Sequence, residues 1–377
     1  MPRPFLVAFV FVPFAAVWVF AQDTPPKPPE PEQTTAPAID AKAVRKLADE
    51  VTALAVSPDG KWIAAGGNDG SVVLFATASA ERRDAGKVGA YVDSLAFTAD
   101  SQWVVAAPTE RDGKQTLLAA DVATGKVLRT MDVSTPLPPD GSRANLDRFY
   151  MTCPVPGGAT VELLRKDTVE VWDLATGERS EKRPNKDPWV HSKVRSLDGS
   201  LLAIDGSGPI RVVDGATGAA RFEFKSDEGG MKGNVLIGRH STGPAGFATA
   251  AGTLLLRDTW DETKDPKTLT GDNLDKRTKE FRKLLGVSTR DGKQVWKRDL
   301  AQYVYEDDIV VGLEVAAVPD DGKIEFINCA SGQLREKAPG SKKWSCAAVS
   351  PDGLTFWGGA DDGSVVVLKS FPAPKAK

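Results

Sequence analysis

The side chains that could carry out catalysis are few in this chain, and their spacing does not suit it. One of its two histidines, His240, stands beside Ser241 in residues 238–243. Adjacent side chains on a strand point to opposite faces, so this pair cannot act as a general base and its nucleophile. His191 alternates with apolar residues, as a strand residue does. Because the motifs G-x-S-x-G, H-E-x-x-H and G-x-x-x-x-G-K are also absent, we expect no catalytic residue and no enzyme activity.

Metal and thiol chemistry has equally weak signals. The acidic pairs Asp320-Asp321-Gly322 and Asp361-Asp362-Gly363 lack the spacing of a calcium-binding loop, and hairpin turns alone account for them. The three cysteines, Cys153, Cys329 and Cys346, show no C-x-x-C spacing. A Cys329–Cys346 disulfide is the one bridge that we consider, and burial of all three as small apolar side chains is the favoured alternative. We expect no metal and no cofactor.

The elements that must position any site are short strands, because the chain repeats itself. Residues 55–75 and 348–368 match at 12 of 21 positions without a gap. In residues 51–75, three apolar runs are separated by Ser-Pro-Asp-Gly and Asn-Asp-Gly-Ser, which are tight-turn sequences. A more polar fourth run follows. Each unit therefore predicts four antiparallel strands.

The turn after the third strand measures the repeat. It reads DVATGKV at Asp121, WDLATGER at Trp172, DGATGAA at Asp214, RDTWDET at Arg257 and NCASGQL at Asn328. Successive acidic residues in the first four turns, Asp121, Asp173, Asp214 and Asp258, are 52, 41 and 44 residues apart, but 70 residues separate Asp258 from Asn328. One unit with an insertion gives seven units, which we favour. Two cramped units, one using the turn in GVSTRDGKQVW, would give eight.

The run VEVWDLATGE at residues 169–178, with the two Ser-Pro-Asp-Gly turns, resembles the WD40 repeat family. This resemblance implies an all-β propeller of four-stranded antiparallel blades. The Gly-His pair typical of such repeats is absent, so we expect no His-to-Asp network within the blades. The last unit stops after its third strand, and a strand-like run at residues 43–48 has no unit of its own. We expect this N-terminal strand to complete the last blade and close the ring.

The first 21 residues have the layout of a signal peptide. Arg3 precedes an apolar run at residues 5–21 that ends in Ala21, a small residue suited to cleavage. An uncleaved membrane anchor is the alternative, because this run is near the minimum length for spanning a bilayer. Residues 22–42 include TPPKPPEPEQTTAP and predict a disordered linker. The propeller then covers residues 43–370, and residues 371–377 form a tail. We expect an exported protein of the periplasm, the cell envelope or the extracellular space.

One segment breaks the repeat and is the candidate partner contact. Residues 261–285 are rich in charge, with four apolar residues loosely on one helical face, and they begin an insertion at about residues 261–300. A solvated loop between blades is the alternative. The residues that we expect to contact a partner are Leu274, Lys276, Arg277 and Phe281.

The overall reading is a non-enzymatic, monomeric scaffold that binds a protein or peptide. A formal charge of −3, with both signs mixed, argues against nucleic acid, and membrane contact is expected only if the N-terminal segment stays uncleaved. The run DGKQVWKRD at residues 291–299 is similar to strand turns of quinone-dependent dehydrogenase propellers. That similarity implies the alternative of a small-ligand-binding or enzymatic propeller that uses its central channel.

Overall fold

The structure is a computed structural model, and it describes most of the chain between residues 45 and 373. The described ranges are 45–79, 81–89, 91–108, 115–134, 150–152, 159–165, 168–184, 192–205, 209–225, 230–232, 235–263, 279–301, 309–320, 323–338 and 343–373. The chain divides into two units, Met1–Thr35 and Ala36–Lys377, and every described residue belongs to the second. The signal peptide and the linker predicted from the sequence both lie outside the described residues.

The described elements are strands, and they form seven antiparallel sheets that we call blades 1 to 7. Blade 1 contains β2 (Val51–Val56), β3 (Trp62–Gly67), β4 (Ser71–Ala76) and β5 (Arg82–Lys87), and blade 2 contains β6 (Val92–Phe97), β7 (Trp103–Pro108), β8 (Thr116–Asp121) and β9 (Val127–Asp132). Blade 3 contains β10 (Tyr150–Thr152), β11 (Thr160–Leu164), β12 (Thr168–Asp173) and β13 (Arg179–Pro184). Blade 4 contains β14 (Ser192–Arg195), β15 (Leu201–Asp205), β16 (Ile210–Asp214) and β17 (Ala220–Phe224).

Blades 5 to 7 contain the remaining strands, including the first strand of the chain. Blade 5 contains β18 (Gly230–Lys232), β19 (Val235–Ala248), β20 (Thr253–Thr263), β21 (Lys279–Ser288) and β22 (Gln294–Asp299). Blade 6 contains β23 (Val310–Val311), β24 (Val315–Asp320), β25 (Lys323–Asn328) and β26 (Leu334–Lys337). Blade 7 contains β27 (Trp344–Val349), β28 (Thr355–Ala360), β29 (Ser364–Ser370) and the N-terminal β1 (Arg45–Lys46). Blade 5 has five strands because β18 adds to its first long strand, and each of the other blades has four.

The blades form a ring that closes at blade 7. The first strand of blade 1, β2, contacts both β6 of blade 2 and β27 of blade 7, and β23 likewise contacts β19 and β27. First strands therefore line the axis. The N-terminal β1 pairs with β29, with Arg45 opposite Val365 and Lys46 opposite Ser364. The seven-blade ring and its closure by an N-terminal strand are confirmed, and the eight-blade alternative is wrong.

Strands buried on both faces explain the apolar runs in the sequence. In β4, Val72 and Leu74 pack in the core between blades 1 and 2, while Val73 and Phe75 pack in the core between blades 7 and 1. Alternate side chains of one strand thus serve two neighbouring cores. Burying one such side chain contributes about 1.5–3 kcal/mol.

In blades 1, 2, 4 and 7, the turns between the first and second strands share one hydrogen-bond pattern. In blade 1, the Ser57 hydroxyl donates to the Asp59 carboxylate (2.6 Å) and accepts from the backbone N–H of Trp62 (2.9 Å). Thr98, Ser196 and Ser350 make the same pair of contacts in blades 2, 4 and 7. Each of these four hairpins is therefore held by its own Ser/Thr-x-Asp sequence.

The turns between the third and fourth strands correct one prediction. Glycines with φ near +70° close these turns, and the backbone N–H of each glycine donates to the carbonyl oxygen of the last residue of the third strand. These glycines are Gly125, Gly177, Gly218, Gly292 and Gly332. In blade 5 this acceptor is Ser288, not Asp258. The sequence RDTWDET at Arg257 was predicted as a turn, but it continues as strand β20. The turn in GVSTRDGKQVW belongs to blade 5 and not to an extra blade.

The helical pattern of residues 261–285 predicted a helix, and this prediction is wrong for the residues of that segment that the structure describes. Residues 261–263 end β20, and residues 279–285 belong to β21, whose residues pair with β20 from Glu262↔Lys279 to Thr253↔Ser288. Leu284 packs between blades 5 and 6, whereas Leu285 packs between blades 4 and 5. Their alternation is that of a strand buried on both faces, so backbone pairing overrides the weak helical pattern.

A recurring contact joins the outer strand of several blades to the next blade. Arg83 of β5 donates to Val122 O in the third turn of blade 2 (2.7 Å) and lies over the Trp62 ring at 4.0 Å. Trp296 of β22 donates through Nε1 to Cys329 O of blade 6 (2.7 Å). Arg335 of β26 lies 4.7 Å from the ring centroid of Phe371, which follows β29 of blade 7. We call these contacts the blade latches.

Arg45 of β1 supplies the latch at the ring seam. Its side chain is 2% exposed. Nε and Nη2 donate to Ala76 O (3.2 and 3.0 Å), and Nη2 also approaches Thr77 O (2.8 Å) and Ser79 O (2.9 Å) in the turn after β4. The guanidinium lies 5.0 Å from the centroid of the Trp357 ring in blade 7. One residue thus contacts both sides of the seam.

Candidate partner-binding surfaces

Blade 5 departs from the other blades by extending beyond the ring. Its strands β19, β20 and β21 have 14, 11 and 10 residues, whereas the other described strands have at most seven. The outer strand β22 pairs only as far as Lys283. Residues 235–241, 259–263 and 279–282 therefore form a ribbon that projects by about 15 Å beyond the part of the blade that includes β22.

The ribbon and the hairpin turns of the first strands lie at opposite ends of the ring. Strand β19 runs from the ribbon to Ala248 and then enters the turn at residues 249–252, which leads to β20. We call the end of the ring with these first turns the turn face, and the other end the ribbon face. Because the ribbon contains the beginning of β19, the long first strand of its blade, it rises beside the mouth of the central channel on the ribbon face.

The predicted contact residues divide between described and other parts of the chain. Leu274, Lys276 and Arg277 fall in the connection between β20 and β21 and lie outside the described residues. Phe281 belongs to β21, where its backbone pairs with Trp260, and its side chain lies outside the description. The partner-contact role of these four residues stays a prediction.

Charged side chains are buried at the base of the ribbon. Arg257 and Asp258 are 3% and 7% exposed, and an Arg257 guanidinium N–H donates to the Thr259 hydroxyl (3.2 Å). Asp258 lies opposite Lys283 in the β20–β21 pairing. The sequence did not indicate this cluster, because the same residues resembled a turn.

On the turn face, the first turns of several blades converge. The backbone N–H of Ala250 in blade 5 donates to Leu313 O in blade 6 (3.1 Å), and the backbone N–H of Leu313 donates to Gly353 O in blade 7 (3.2 Å). The Asp59 N–H of blade 1 donates to the Ser101 hydroxyl of blade 2 (3.0 Å). These bonds join turns that are far apart in sequence.

Leu197 of blade 4 reaches the turn of blade 7. A Cβ built on Gly353 would lie only 3.0 Å from Leu197 Cδ1 and 2.8 Å from Leu313 Cγ. Blades 4 and 7 are three steps apart along the ring, so this approach narrows the channel at the turn face. Gly353 also has a φ of +68°, and it therefore provides both the backbone shape and the space that the turn needs.

Two buried carboxylates have structural partners rather than catalytic ones. Glu170 in β12 is 4% exposed and contacts Arg179 (3.0 Å), Arg165 (3.5 Å), Lys182 (3.6 Å) and the Trp172 indole N–H (3.2 Å). Burial opposes ionisation of Glu170, but these partners outweigh it and lower its pKa. An ionised, paired carboxylate has no proton to donate and is a poor general acid.

Glu325 in β25 occupies the corresponding position of blade 6. It pairs with Arg298 of blade 5 (2.6 Å) and with Lys337 of its own blade (2.8 Å). Burial again opposes ionisation, yet the two cations lower the pKa of Glu325. Both glutamates lie three residues before the last residue of a third strand, a position that the sequence analysis did not single out.

The cysteines do not form the disulfide considered from the sequence. Cys329 and Cys346 are both free. Cys329 is buried between blades 5 and 6, whereas Cys346 packs at the core between blades 7 and 1. The two residues are in neighbouring blades but in different inter-blade cores, which explains why they are not bonded. Cys153 lies outside the described residues.

The other residues considered for chemistry have structural roles or lie outside the description. Trp296 of the run DGKQVWKRD is a blade latch that also packs over Gly332. The Asp362 carboxylate accepts from the Ser364 N–H (3.0 Å) in a hairpin turn. His191 and the side chain of His240 lie outside the description. Within the described ranges, no group of three or more His, Cys, Asp or Glu residues could hold a metal ion.

In the part of the chain that the structure covers, no helix is long and apolar enough to cross a membrane.

Comparisons with known proteins agree with this architecture. The family model "WD domain, G-beta repeat" matches residues 42–75. A search of curated proteins found no match. Among solved structures, hydrazine synthase of Kuenenia stuttgartiensis is similar over 90% of this chain and 98% of that chain, with a TM-score of 0.54 and 13% identity. At that identity the likeness shows the fold alone. The repeat match and the ring of seven blades together identify the chain as a WD40-type β-propeller.

Proposed function

We propose that this propeller is a non-enzymatic scaffold that binds a protein or peptide partner outside the cytoplasm. The observation that carries the proposal is the ribbon of blade 5, since it adds a projecting surface that closing the ring does not require. Loops and extensions on a rigid ring are where binding residues tend to lie. Support for the location comes from Arg3, the apolar run at residues 5–21 and the proline-rich segment that follows.

The contact that we propose is centred on the connection between β20 and β21. It contains Leu274, Lys276 and Arg277, and Phe281 follows in β21. Cationic and apolar side chains together suit a partner surface with an apolar patch and carboxylates nearby. The strands on either side pair in register, so the ribbon fixes both ends of this connection.

The test joins Glu262 to Lys279 through Asn-Gly, which removes residues 263–278. Glu262 and Lys279 are opposite each other in the β20–β21 pairing, so a two-residue hairpin turn can replace the connection without moving the strands. The control keeps residues 264–278 at full length and composition but scrambles their order. Cross-linking and quantitative mass spectrometry on the envelope fraction then compare wild type with both variants.

We expect one or more proteins to be captured by wild type and lost from both variants, while the melting temperature changes little. Equal capture by all three proteins would exclude this connection as the contact. Cell fractionation and N-terminal sequencing test the location, with Gln22 as the expected first residue. The absorption spectrum and metal content of the purified protein test the alternative of a cofactor-dependent propeller.

A further inference from the structure

The first turns on the turn face carry an apolar residue at the same position in six blades. In four of these turns the residue follows the Ser or Thr that holds the turn and precedes its Asp. In blades 5 and 6 it is the corresponding residue of a turn of different sequence. We call these residues the turn-face patch: Pro58, Ala99, Leu197, Ala250, Leu313 and Pro351. All are exposed except Leu313, which is half-buried.

Leu197 is the unusual member of this patch. It is 41% exposed. The other large apolar side chains with comparable exposure, Val127, Val295 and Leu334, all lie near the start of an outer strand at the rim of the ring. Proline is common at this turn position because its φ fits the turn, but an exposed leucine gains nothing from the turn itself. Its packing beside Gly353 joins the apolar residues of opposite blades into one surface.

Carboxylates surround this apolar surface. Each of five patch residues is followed by an acidic residue: Asp59, Asp100, Asp198, Glu314 and Asp352. Asp59 pairs with Lys61 (3.5 Å), and the other four are in no ion pair with a described residue. Three of the four are hydrogen-bonded through Oδ1 to the Ser or Thr of their own turn, which fixes their positions.

Hydrogen bonding favours the charged form of one of these carboxylates, Asp198. The hydrogen bond from the Ser196 hydroxyl, with others from Ser200, holds the pKa of Asp198 below its ordinary value. Arg195 lies beside this turn, and its guanidinium donates to Gly199 O (3.3 Å) and Gly215 O (3.1 Å). The surface therefore combines an apolar centre with an anionic rim.

We propose that the turn-face patch binds a protein segment that presents apolar side chains flanked by lysine or arginine. The apolar centre favours contact with aliphatic side chains, and the anionic rim selects basic neighbours while repelling nucleic acid and anionic lipid. This surface lies at the opposite end of the ring from the ribbon. The proposal rests on the scaffold role given above but not on the ribbon as the contact.

The probe is a fluorescein-labelled peptide, GRRLLRRG, with GEELLEEG and GRRGGRRG as matched peptides. Binding is measured by fluorescence anisotropy at two salt concentrations. Leu197→Ser tests the apolar centre and Glu314→Gln the anionic rim, because that glutamate does not hold its own turn through a Ser or Thr. Leu334→Ser is the control, since Leu334 is 40% exposed but lies on the outer strand of blade 6.

We expect GRRLLRRG to bind most tightly of the three peptides, and more weakly at high salt. Leu197→Ser should weaken binding by about fivefold, from the loss of a half-exposed leucine contact, while Leu334→Ser leaves binding unchanged. The ribbon variant, with Glu262 joined to Lys279, should bind the peptide like wild type. Loss of partner capture in that variant with intact peptide binding would separate the two surfaces.

Several results would overturn the proposal. Equal effects of Leu197→Ser and Leu334→Ser would show that position on the turn face does not matter. Equal binding of GEELLEEG would remove the role of the anionic rim. Tighter peptide binding after removal of residues 374–377 would assign the patch to the chain's own Lys-containing tail instead of an external partner. Circular dichroism and melting temperature show whether each variant keeps the wild-type fold.

Discussion

Replacing Arg45 by alanine should destabilise the ring more than any exposed charge substitution. Arg45 lies on the two-residue strand β1 that completes blade 7, and its guanidinium donates to three backbone carbonyls of blade 1 while lying over Trp357. Alanine would leave those carbonyls without their cationic donor at a buried position. It would also remove the cation–π contact that joins β1 to the blade it completes.

The expected loss follows from these contacts. Hydrogen bonds to a charged donor contribute about 1.5–3 kcal/mol each, and a desolvated cation–π contact contributes about 2 kcal/mol. The contributions do not add fully, because removing the cation also removes the free-energy cost of burying it. Breaking a buried charged interaction from one side typically costs about 3–5 kcal/mol, and we expect a value in that range. This is a large share of the roughly 5–15 kcal/mol that stabilises a typical fold.

Urea denaturation followed by tryptophan fluorescence measures this free energy of unfolding, with the melting temperature as a second observable. An unfolding entropy of about 2.1 cal/mol/K per residue over roughly 330 residues converts the loss to a decrease of about 6 °C. Arg221→Ala is the control, because its pair with Asp214 is at the surface, where solvent screens it and it should contribute little to stability. Arg45→Lys keeps the charge without the forked donors and should fall between the two. If Arg45→Ala and Arg221→Ala destabilise equally, Arg45 does not stabilise the seam as we argue.

Three further predictions use other residues of the ring. Trp296→Phe keeps an aromatic side chain but removes the N–H donor to Cys329 O, so the free energy of unfolding should fall by about 0.5–1.5 kcal/mol in the same denaturation assay. Burial raises the pKa of the Cys329 thiol, so iodoacetamide should label Cys346 in the native protein and Cys329 only after denaturation, as read by peptide mass mapping. Hydrogen bonds from Lys87 and Ser71 lower the pKa of Asp69 from 3.8 to about 2. Its contribution to stability is therefore complete above pH 4 and lost as the pH falls toward 2, and Asp69→Asn should flatten that part of an acid titration by less than about 1 kcal/mol.

The fold could be predicted from the sequence because its determinants are local. Ser57 and Ser350 hold turns of identical sequence, and glycines with positive φ follow at fixed spacing. These turns set the ends of the strands, and the apolar runs between them match strands buried on both faces. The strand-like run near Arg45 had no partner within a unit, and the last unit lacked a fourth strand. Pairing the two predicted that the ring closes at the last blade, as the pairing of β1 with β29 shows.

The extension of blade 5 could not be predicted in the same way. Asp258 stands where turns begin in other blades, yet β20 continues to Thr263 because β19 and β21 pair with it along its full length. The charge density of residues 261–285 favoured a solvated helix or loop. Pairing partners far away in sequence decide the conformation here, and a local pattern carries no information about them.

The candidate surfaces depend even more on contacts between distant parts of the chain. Leu197 and Gly353 are 156 positions apart in the sequence, and nothing in either turn indicates that they meet. The similarity of Glu170 and Glu325 is also visible only once the strands are superposed, because their cationic partners come from different places. Glu170 contacts cations of its own blade, whereas Glu325 takes Arg298 from the preceding blade.

The same division between local and distant contacts explains why the middle repeats diverge. The Gly-His pair is absent, and Ser/Thr-x-Asp turns hold the first hairpin in blades 1, 2, 4 and 7, where donor and acceptor lie two residues apart. A blade latch has a looser requirement: a side chain on the outer strand must cover the third turn of the next blade. Arg83, Trp296 and Arg335 all meet it with different chemistry. The hairpins that use this turn are therefore similar in sequence within this chain, whereas the latches between the blades are not.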